Sequence, residues 1–543
     1  MARDMVQVQR GGGQSFAAPT VSIGRSQFNR SHGLKTSFDA SYLYPIFVDD
    51  VLPGDTLTMK LHGFARIFSP LDAPVMDNIE LETFFFFVPN RIVWENWVDF
   101  QGEHVGAGAQ DTDFTVPIMA DGLTVNHDGG TAAEDLLAHF GIPDGLQTTM
   151  VPISCLPLRG YNMIYREWFR DQNLVGQQSI EIGNGPDASS EYIIHRSNKK
   201  HDYFTSALPY LQKGDPITVA LLGAAPVQPV LLGTSTPQFR STTGSKAGGQ
   251  FVAGETADQT VVDMTSPTGS WVAGDTMHWD TVTGLEADMS SVGGVSINAL
   301  REAVAIQRLL ETDARGGTRY VESIKAHFGV TSPDFRLQRP EFLGGEKAMI
   351  NISPVANTSD TAGADQAELR GIGTGVISGH GWAKSFTEHG YVIGLVRARA
   401  DLTYFQGLDR HWSKSTRYDF FIPALANLGE QAILNKELFV SNVVLTDNGV
   451  FGYQERWAEY RMKQSKITSI MNPDAAANIA FWHLAEDFSS LPALNSTFMV
   501  DRTPMDRITT VDTAQHFILD LWFDYKCARP IPVKSIPSLT ARF

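Results

Sequence analysis

Four consecutive phenylalanines, Phe84 to Phe87, sit inside the stretch NIELETFFFFVPNRIVWENW (Asn78–Trp97), and they restrict what this chain can be. A membrane span needs about 20 mostly apolar residues, whereas Glu80, Glu82, Pro89 and Arg91 close in on both sides of this run. The stretch reads as a strand instead. Alternation places Ile79, Leu81, Thr83, Phe85 and Phe87 on one face, and Glu80, Glu82, Phe84, Phe86 and Val88 on the other. The second face begins acidic and ends apolar. The strand is therefore expected to start at a solvent-facing edge, with Glu80 and Glu82 as solvated charges, and to finish where something covers both sides.

Three further stretches carry the same signal: DTLTMKLHGFARIF (Asp55–Phe68), YVIGLVRARADLTY (Tyr391–Tyr404) and HFILDLWFDYK (His516–Lys526). They are long, rich in β-branched and aromatic residues, and widely separated. They do not alternate with helices at regular spacing, so a doubly wound fold is disfavoured. Strands so far apart must pair non-locally, which predicts an antiparallel barrel or sandwich with long insertions. At 543 residues the chain exceeds one simple core, and it is either multi-domain or one heavily embellished domain.

One helix is well marked. Ser296 can cap INALREAVAIQRLLETDAR, and Gly316-Gly317 can end it. Ile297, Leu300, Val304 and Leu310 give it a broad apolar side. YNMIYREWFRDQNL (Tyr161–Leu174) is a weaker helix candidate. From about residue 222 to 295 the composition shifts to Gly, Thr, Ser, Ala, Asp and Val, with turn punctuation such as TTGSKAGGQ, predicting a surface insertion of short strands and turns. Phe251, Trp271 and Trp279 give that insertion something to bury.

The charge is asymmetric. The chain as a whole carries -17, which argues against coating nucleic acid with its entire surface. Yet residues 1–35 hold Arg3, Arg10, Arg25, Arg30 and Lys35 against Asp4 alone, and they read as an extended arm with little core. The tail from Lys526 is also basic, and Pro530, Pro532 and Pro537 keep it out of helix. Basic arms with aromatics such as Phe16 and Phe28 suit contact with phosphates and single-stranded bases. They equally suit solubility or an acidic neighbouring surface. The cluster RSNKKHDYF (Arg196–Phe204) reads as structural.

Catalytic chemistry has no foothold. There is no P-loop, H-E-x-x-H, G-x-S-x-G or paired C-x-x-C. GIGTG (Gly371–Gly375) has the wrong spacing for a phosphate loop and reads as a turn-rich loop. His327, His380, His389, His411 and His483 lack ligand spacing. Only Cys155 and Cys527 occur, so neither a disulfide framework nor a cysteine metal cluster is expected. Catalytic, cofactor-binding and metal-ligating residues are all expected to be none. The N-terminus lacks the apolar core of a signal peptide.

Several stretches together resemble the major capsid protein of microviruses, and above all the gokushovirus-like branch. They are NRSHGLKTSFDASYLYPIFVDDVLPGDT (Asn29–Thr56), YREWFRDQNL (Tyr165–Leu174), KKHDYFTSALPYLQKG (Lys199–Gly214), LLETDARGGTRYVESIKAHFGVTSPDFRLQRPEFLGG (Leu309–Gly345) and VFGYQERWAEYRMKQSKIT (Val450–Thr468). They follow in family order, and the match is weak only between about 222 and 295. The resemblance implies a mainly β fold, an eight-stranded antiparallel jelly roll with long loop insertions and a few helices. It implies a structural protein with no enzymatic activity, sixty copies of which form a T=1 icosahedral shell around circular single-stranded DNA. Implied partners are a small basic DNA-binding protein, a minor capsid or pilot protein, and a host cell-surface receptor, with assembly in the bacterial cytoplasm.

On this reading residues 1–50 are an extended N-terminal arm and 51–221 the first part of the jelly roll. Residues 222–295 are a host-facing threefold protrusion carrying Trp271 and Trp279, 296–525 the rest of the barrel with a helical insertion, and 526–543 a basic tail. Arg3, Arg10, Arg25, Arg30 and Lys35 would face nucleic acid. Phe85 and Phe87 would fill the barrel, while Phe84 and Phe86 need cover from an inserted loop or, as an assembly interface, from a neighbouring subunit. The alternative class is a β-sandwich carbohydrate-binding protein or glycan-active enzyme, supported by the aromatic loop SWVAGDTMHWD (Ser270–Asp280).

Overall fold

The computed structural model describes residues 24–102, 114–119, 122–127, 132–215, 217, 296–358, 366–511 and 514–534, with short backbone strands between 227 and 287. The main sheet contains β1 (Ser26–Asn29), β2 (His32–Phe38), β3 (Tyr44–Val51), β4 (Thr56–Ile67), β5 (Ile79–Pro89), β6 (Glu341–Ala356), β7 (Leu369–Ser385), β8 (Gly390–Ala400) and β9 (Phe517–Arg529). Its order is β1-β9-β4-β7-β6-β5-β8-β3, with β2 also on β9. β1 pairs with the Lys526–Arg529 end of β9 and β2 with its Phe517–Phe523 end, so the two share one edge position. The sheet is therefore eight positions wide, and every pairing in it is antiparallel. It curls on itself as a half-barrel of jelly-roll type, and Phe47 of edge strand β3 packs on Phe523 and Tyr525 of β9 at 5.3 and 5.4 Å.

The alternation read from the sequence fills this barrel. Leu57, Met59, Leu61 and Ala65 of β4, and Phe517, Leu519, Leu521 and Phe523 of β9, are buried on the inner side. Period-two burial of apolar side chains is what holds such a sheet together, at about 1.5–3 kcal/mol per large side chain. All four expected strand stretches are strands, with boundaries shifted by only a few residues.

The structure corrects four expectations here. β5 is not an edge strand, because it lies between β6 and β8. GIGTG is not a loop but the middle of β7. Its glycines leave room for the neighbouring strand, and a Cβ on Gly373 would stand 2.3 Å from Ile67 Cδ1. Sequence reasoning missed β6 and β7 because their glycines and mixed polarity mute the strand signal. Within the described part of the expected arm, from residue 24 on, the chain forms sheet rather than an extended arm, since β1, β2 and β3 all lie before residue 52. At the other end, Lys526 and Arg529 belong to β9 rather than to a free tail.

Helix α1 (Leu156–Ile164) continues into a π-helical turn, Tyr165–Phe169, so the second helix candidate starts earlier and ends sooner than the sequence suggests. α1 lies over the outer side of β5 and β8. Gly160 allows the approach, since a Cβ there would meet Ile393 Cδ1 at 3.0 Å. α2 (Ile297–Arg315) is the helix read from the sequence, and Ser296 Oγ accepts a hydrogen bond from the Ala299 amide at 3.1 Å as the cap. α3 (Tyr320–Phe328) follows and ends at Gly329 in the left-handed region, φ 68°.

Contacts divide the chain into two units, one of residues 1–211 with 316–543 and one of 212–315. The second is wider than the expected 222–295 insertion and takes in α2. Its strands form antiparallel pairs: Gln250–Thr256 with Gln259–Thr265, Phe239–Ser241 with Met277–Trp279, and Val227–Pro229 with Leu285–Ala287.

Candidate functional site

The cover over the phenylalanine run comes from the chain itself. Phe86 is 1% exposed and meets Trp168, Phe169 and Phe342 at ring separations of 5.4, 6.0 and 5.4 Å. Phe84 is half-buried, with Phe169 at 5.1 Å and the Arg397 guanidinium at 5.2 Å from its ring. Of the two covers expected for Phe84 and Phe86, an inserted loop or a neighbouring subunit, Phe86 has the internal one, and Phe84 keeps part of its ring exposed. The π-helical turn after α1 and the start of β6 occupy that face within one subunit.

Glu80 and Glu82 are not solvated edge charges either. Both are buried, and strand register sets cations beside them. Arg397 lies opposite Glu82 and Arg399 opposite Glu80 on β8, while Lys347 lies opposite Glu82 on β6. Glu82 accepts hydrogen bonds from Arg397 Nε and, at 2.7 Å, from Arg399 Nη2. Glu80 accepts from Lys347 Nζ at 2.7 Å, with Lys200 Nζ at 3.6 Å. Burial pushes the Glu80 carboxyl up, but Lys347, Lys200 and Arg399 outweigh it and hold it below the usual range. Next to this cluster Lys199 pairs with Glu486 at 3.0 Å and lies 4.6 Å from the Phe498 ring centroid. Burial raises the carboxyl pKa values of Glu486 and of Asp501. The NKKHDYF stretch is structural, as read. This cluster ties the 198–202 and 483–501 loops to the sheet.

A second buried pair anchors α1. Arg159 and Asp187, both 0% exposed at the side chain, are joined by Nη2–Oδ1 at 2.6 Å and Nε–Oδ2 at 2.8 Å. Arg159 also donates to the carbonyls of Val93 and Gly183. Sequence gave no sign of either cluster, because the partners come from distant strands and loops.

Among the described residues no group of three His, Cys, Asp or Glu side chains could hold a metal ion. His380 is buried against Thr83 Oγ1 at 2.8 Å, and His483 contacts the Met471 carbonyl at 2.7 Å, each in its own surroundings. Cys155 and Cys527 are both buried free thiols. No helix among the described residues is long and apolar enough to cross a membrane.

The predicted nucleic-acid residues fall into three groups. Arg3 and Arg10 lie outside the described residues. Arg25 donates to Thr56 Oγ1 at 3.2 Å, and Arg30 pairs with Asp49 and lies 5.5 Å from the Tyr525 ring centroid, so both are turned toward their own sheet. Lys35 stands on the outer face of β2, 3.3 Å from Asp520, with its side chain 79% exposed. Of the insertion tryptophans, Trp279 ends the Met277–Trp279 strand and Trp271 lies outside the described residues. Among the described residues, none of Arg25, Arg30 and Lys35 is brought together with another predicted site residue.

Sequence reasoning overlooked the outward side of β4 and β9. There Lys60, His62, Phe64 and Arg66 alternate with the core residues of β4, and Trp522 does so on β9. The period-two pattern that identified the inner face also identifies this one.

An antiparallel half-barrel eight positions wide, with enlarged loops held by buried charge pairs, is jelly-roll architecture, a class to which viral capsid subunits belong. The chain belongs to the capsid protein (F protein) family, whose profile matches residues 17–539. It is 42% identical to the capsid protein VP1 of Bdellovibrio phage phiMH2K over 97% of this chain and 98% of that one. It is 38% identical to capsid protein VP1 of Chlamydia phage 1, covering 96% of each chain. Against capsid protein VP1 of Spiroplasma virus 4 the identity is 33%, over 95% of this chain and 96% of the other. The resemblance to microvirus major capsid proteins therefore holds. The chain is a structural capsid protein of a virion, it works as part of an oligomeric shell, and it is not an enzyme.

Proposed function

We propose that this chain is the subunit from which sixty copies build a T=1 icosahedral shell around circular single-stranded DNA. The observation that carries the proposal is large apolar surface left exposed on a folded capsid subunit. Trp412 is 70% exposed, Tyr418 67%, Leu445 90% and, on α2, Ile297 69%. Soluble monomers rarely leave so many large side chains in water, and closed shells cover them with neighbouring copies. The insertion at 222–295, with Trp271 and Trp279, is the host-attachment element in this proposal. Of the five basic residues singled out, Arg3, Arg10 and Lys35 face the genome in this proposal, whereas Arg25 and Arg30 bind their own sheet; a small basic DNA-binding protein supplies most of the neutralising charge. A minor capsid or pilot protein completes the particle, which assembles in the cytoplasm of a bacterial host.

Electron microscopy of the expressed protein tests this reading. Small isometric particles of uniform diameter are the expected result. A stable monomer under every condition of salt and concentration would overturn it.

A further inference from the structure

A two-stranded ribbon, Glu430–Leu434 paired with Val450–Glu455, carries unlike apolar surfaces at its two ends. At one end the connecting loop, 435–449, lifts an aliphatic tip into water: Val443 is 53% exposed, Val444 73% and Leu445 90%. The loop behind this tip is tightly built. Asp447, in the single helical turn Val444–Asp447, accepts hydrogen bonds at Oδ1 from the Ser441 amide at 2.8 Å and from the Ser441 hydroxyl at 2.7 Å. Asn435 Nδ2 donates to the Thr446 carbonyl at 2.8 Å, and the Asn435 amide to the Gly449 carbonyl at 2.9 Å. A Cβ on Gly449 would stand 2.7 Å from Asn435 Nδ2, so glycine lets the loop close. The other end of the ribbon is aromatic. Arg456, the next residue after the ribbon, donates to the Tyr418 carbonyl at 3.3 Å, and Phe421 meets Trp457 and Tyr460 at 5.5 and 6.3 Å. Lys414 Nζ lies 5.4 Å from the Phe420 ring centroid and 4.1 Å from that of Tyr460. Tyr418, Phe420, Phe421 and Tyr460 are all exposed and form a platform. Beside it lies a cavity of about 250 Å³ whose lining includes Phe204, Lys414, Tyr460 and Met462. Charged residues in that lining are already paired, Arg410 with Glu437 at 2.9 Å and Lys463 with Asp409 at 3.2 Å.

We propose that the tip of one copy, formed by Val443, Val444 and Leu445, docks head to tail on the next copy's platform of Tyr418, Phe420, Phe421 and Tyr460, with Leu445 entering the cavity beside it. The proposal deepens the shell reading and rests on it, since it takes a second copy of this chain as the occupant. A second copy fits because the chain carries both halves of the contact, a protruding aliphatic tip and a ring-lined recess. The two halves cannot meet within one subunit, because the ribbon holds them apart by roughly 15 Å at about 3.4 Å per residue. Burying the tip removes apolar surface from water, and the loop's polar groups already bond to one another, so little desolvation opposes it. Aromatic side chains with paired charges around them are the usual make-up of an interface centre and its rim. Unlike patches joined head to tail generate a ring when the rotation closes, as a shell requires around its higher axes. A twofold contact would set tip against tip and leave both cavities unfilled.

The test is thiol cross-linking of the full-length protein with a short bismaleimide, read on a denaturing gel. Cys155 and Cys527 are both buried, so the parent treated alongside gives the background. Leu445→Cys mixed with Tyr418→Cys is expected to give a covalent dimer, the chain carrying both substitutions a ladder of higher oligomers, and each single variant alone neither. Leu445→Asp should raise the concentration needed for self-association in sedimentation velocity by more than about tenfold. All of these positions are exposed, and an unchanged thermal midpoint verifies folding. A covalent dimer from Leu445→Cys alone overturns the proposal, because like patches would then meet across a twofold axis. A parent that forms particles while the mixture gives no cross-link, or while Leu445→Asp assembles at the parent's concentration, also overturns it and leaves the shell reading intact. If the ladder forms and Leu445→Asp stays monomeric, yet the parent stops at small rings and never closes particles, the contact stands and the sixty-copy shell falls. A parent that stays monomeric at every salt and protein concentration overturns both.

Discussion

Phe86 offers the sharpest check on where one subunit ends. Its ring is 1% exposed and is enclosed by Trp168, Phe169 and Phe342, all from the same chain. Truncation to alanine removes a buried aromatic from a dry, well-filled pocket, which costs about 3–5 kcal/mol. Part of that is the aromatic geometry, at roughly 0.5–1.5 kcal/mol per ring pair. The pocket cannot collapse easily, because Phe342 sits at a bulge in β6 and Trp168 is tied through its indole N–H to the Pro340 carbonyl at 2.9 Å. A loss of about 4 kcal/mol, against an m-value that for a chain of this size exceeds the roughly 3 kcal/mol/M of small proteins, lowers the urea midpoint by up to about 1.3 M. Phe84→Ala, at a half-buried site with fewer ring neighbours, should cost about half as much. The assay is urea unfolding of the unassembled subunit by far-UV circular dichroism. Phe86→Asp adds a buried, unpaired carboxylate and should prevent folding altogether. A Phe86→Asp subunit that folds like the parent and fails only in assembly would refute the reasoning and return this face to a neighbouring copy.

Three other outcomes are expected. Arg159→Met leaves Asp187 buried without its bidentate partner and should destabilise the subunit by about 3–5 kcal/mol, read as a lowered urea midpoint; restoring the parent midpoint with Asp187→Leu added would support the unpaired charge as the cause. His516 lies between Asp39 at 3.0 Å and Asp506 at 2.9 Å, and although burial opposes its charge, these carboxylates hold its pKa above the ordinary value near 6.5. Its contribution to stability should be complete below about pH 6.5 and lost as pH rises through the folded-state value, so His516→Asn should remove that slope from the thermal midpoint between pH 6 and 9, and an identical slope in both proteins would count against it. Deleting residues 1–23 removes none of β1 to β9 and should leave the melting temperature unchanged while reducing the yield of DNA-filled particles in nuclease-protection assays; full yield would exclude a role for Arg3 and Arg10.

Local pattern made much of the architecture legible. Period-two alternation in β4, β5, β8 and β9 follows from backbone geometry that any pleated strand imposes, so it appears in the linear chain before any partner is known. Ser296 and the glycines after Arg315 mark α2 for the same reason, because capping is chemistry between near neighbours. The capsid resemblance was likewise carried by contiguous stretches. What covers each face is different in kind. Glu80 and Glu82 look like solvent charges until β8 brings Arg397 and Arg399 beside them from more than 300 residues away, as the 315- and 317-residue separations of the Glu82 contacts show. GIGTG looks like a loop until Ile67 of β4 needs the space its glycines leave. Phe86 looks like an interface until Trp168 and Phe342 close over it. The sequence by itself determined which residues alternate and where the chain turns. Only the tertiary structure decided which of the two faces of each strand is dry, because burial and charge pairing are set by non-local contacts that no local period records.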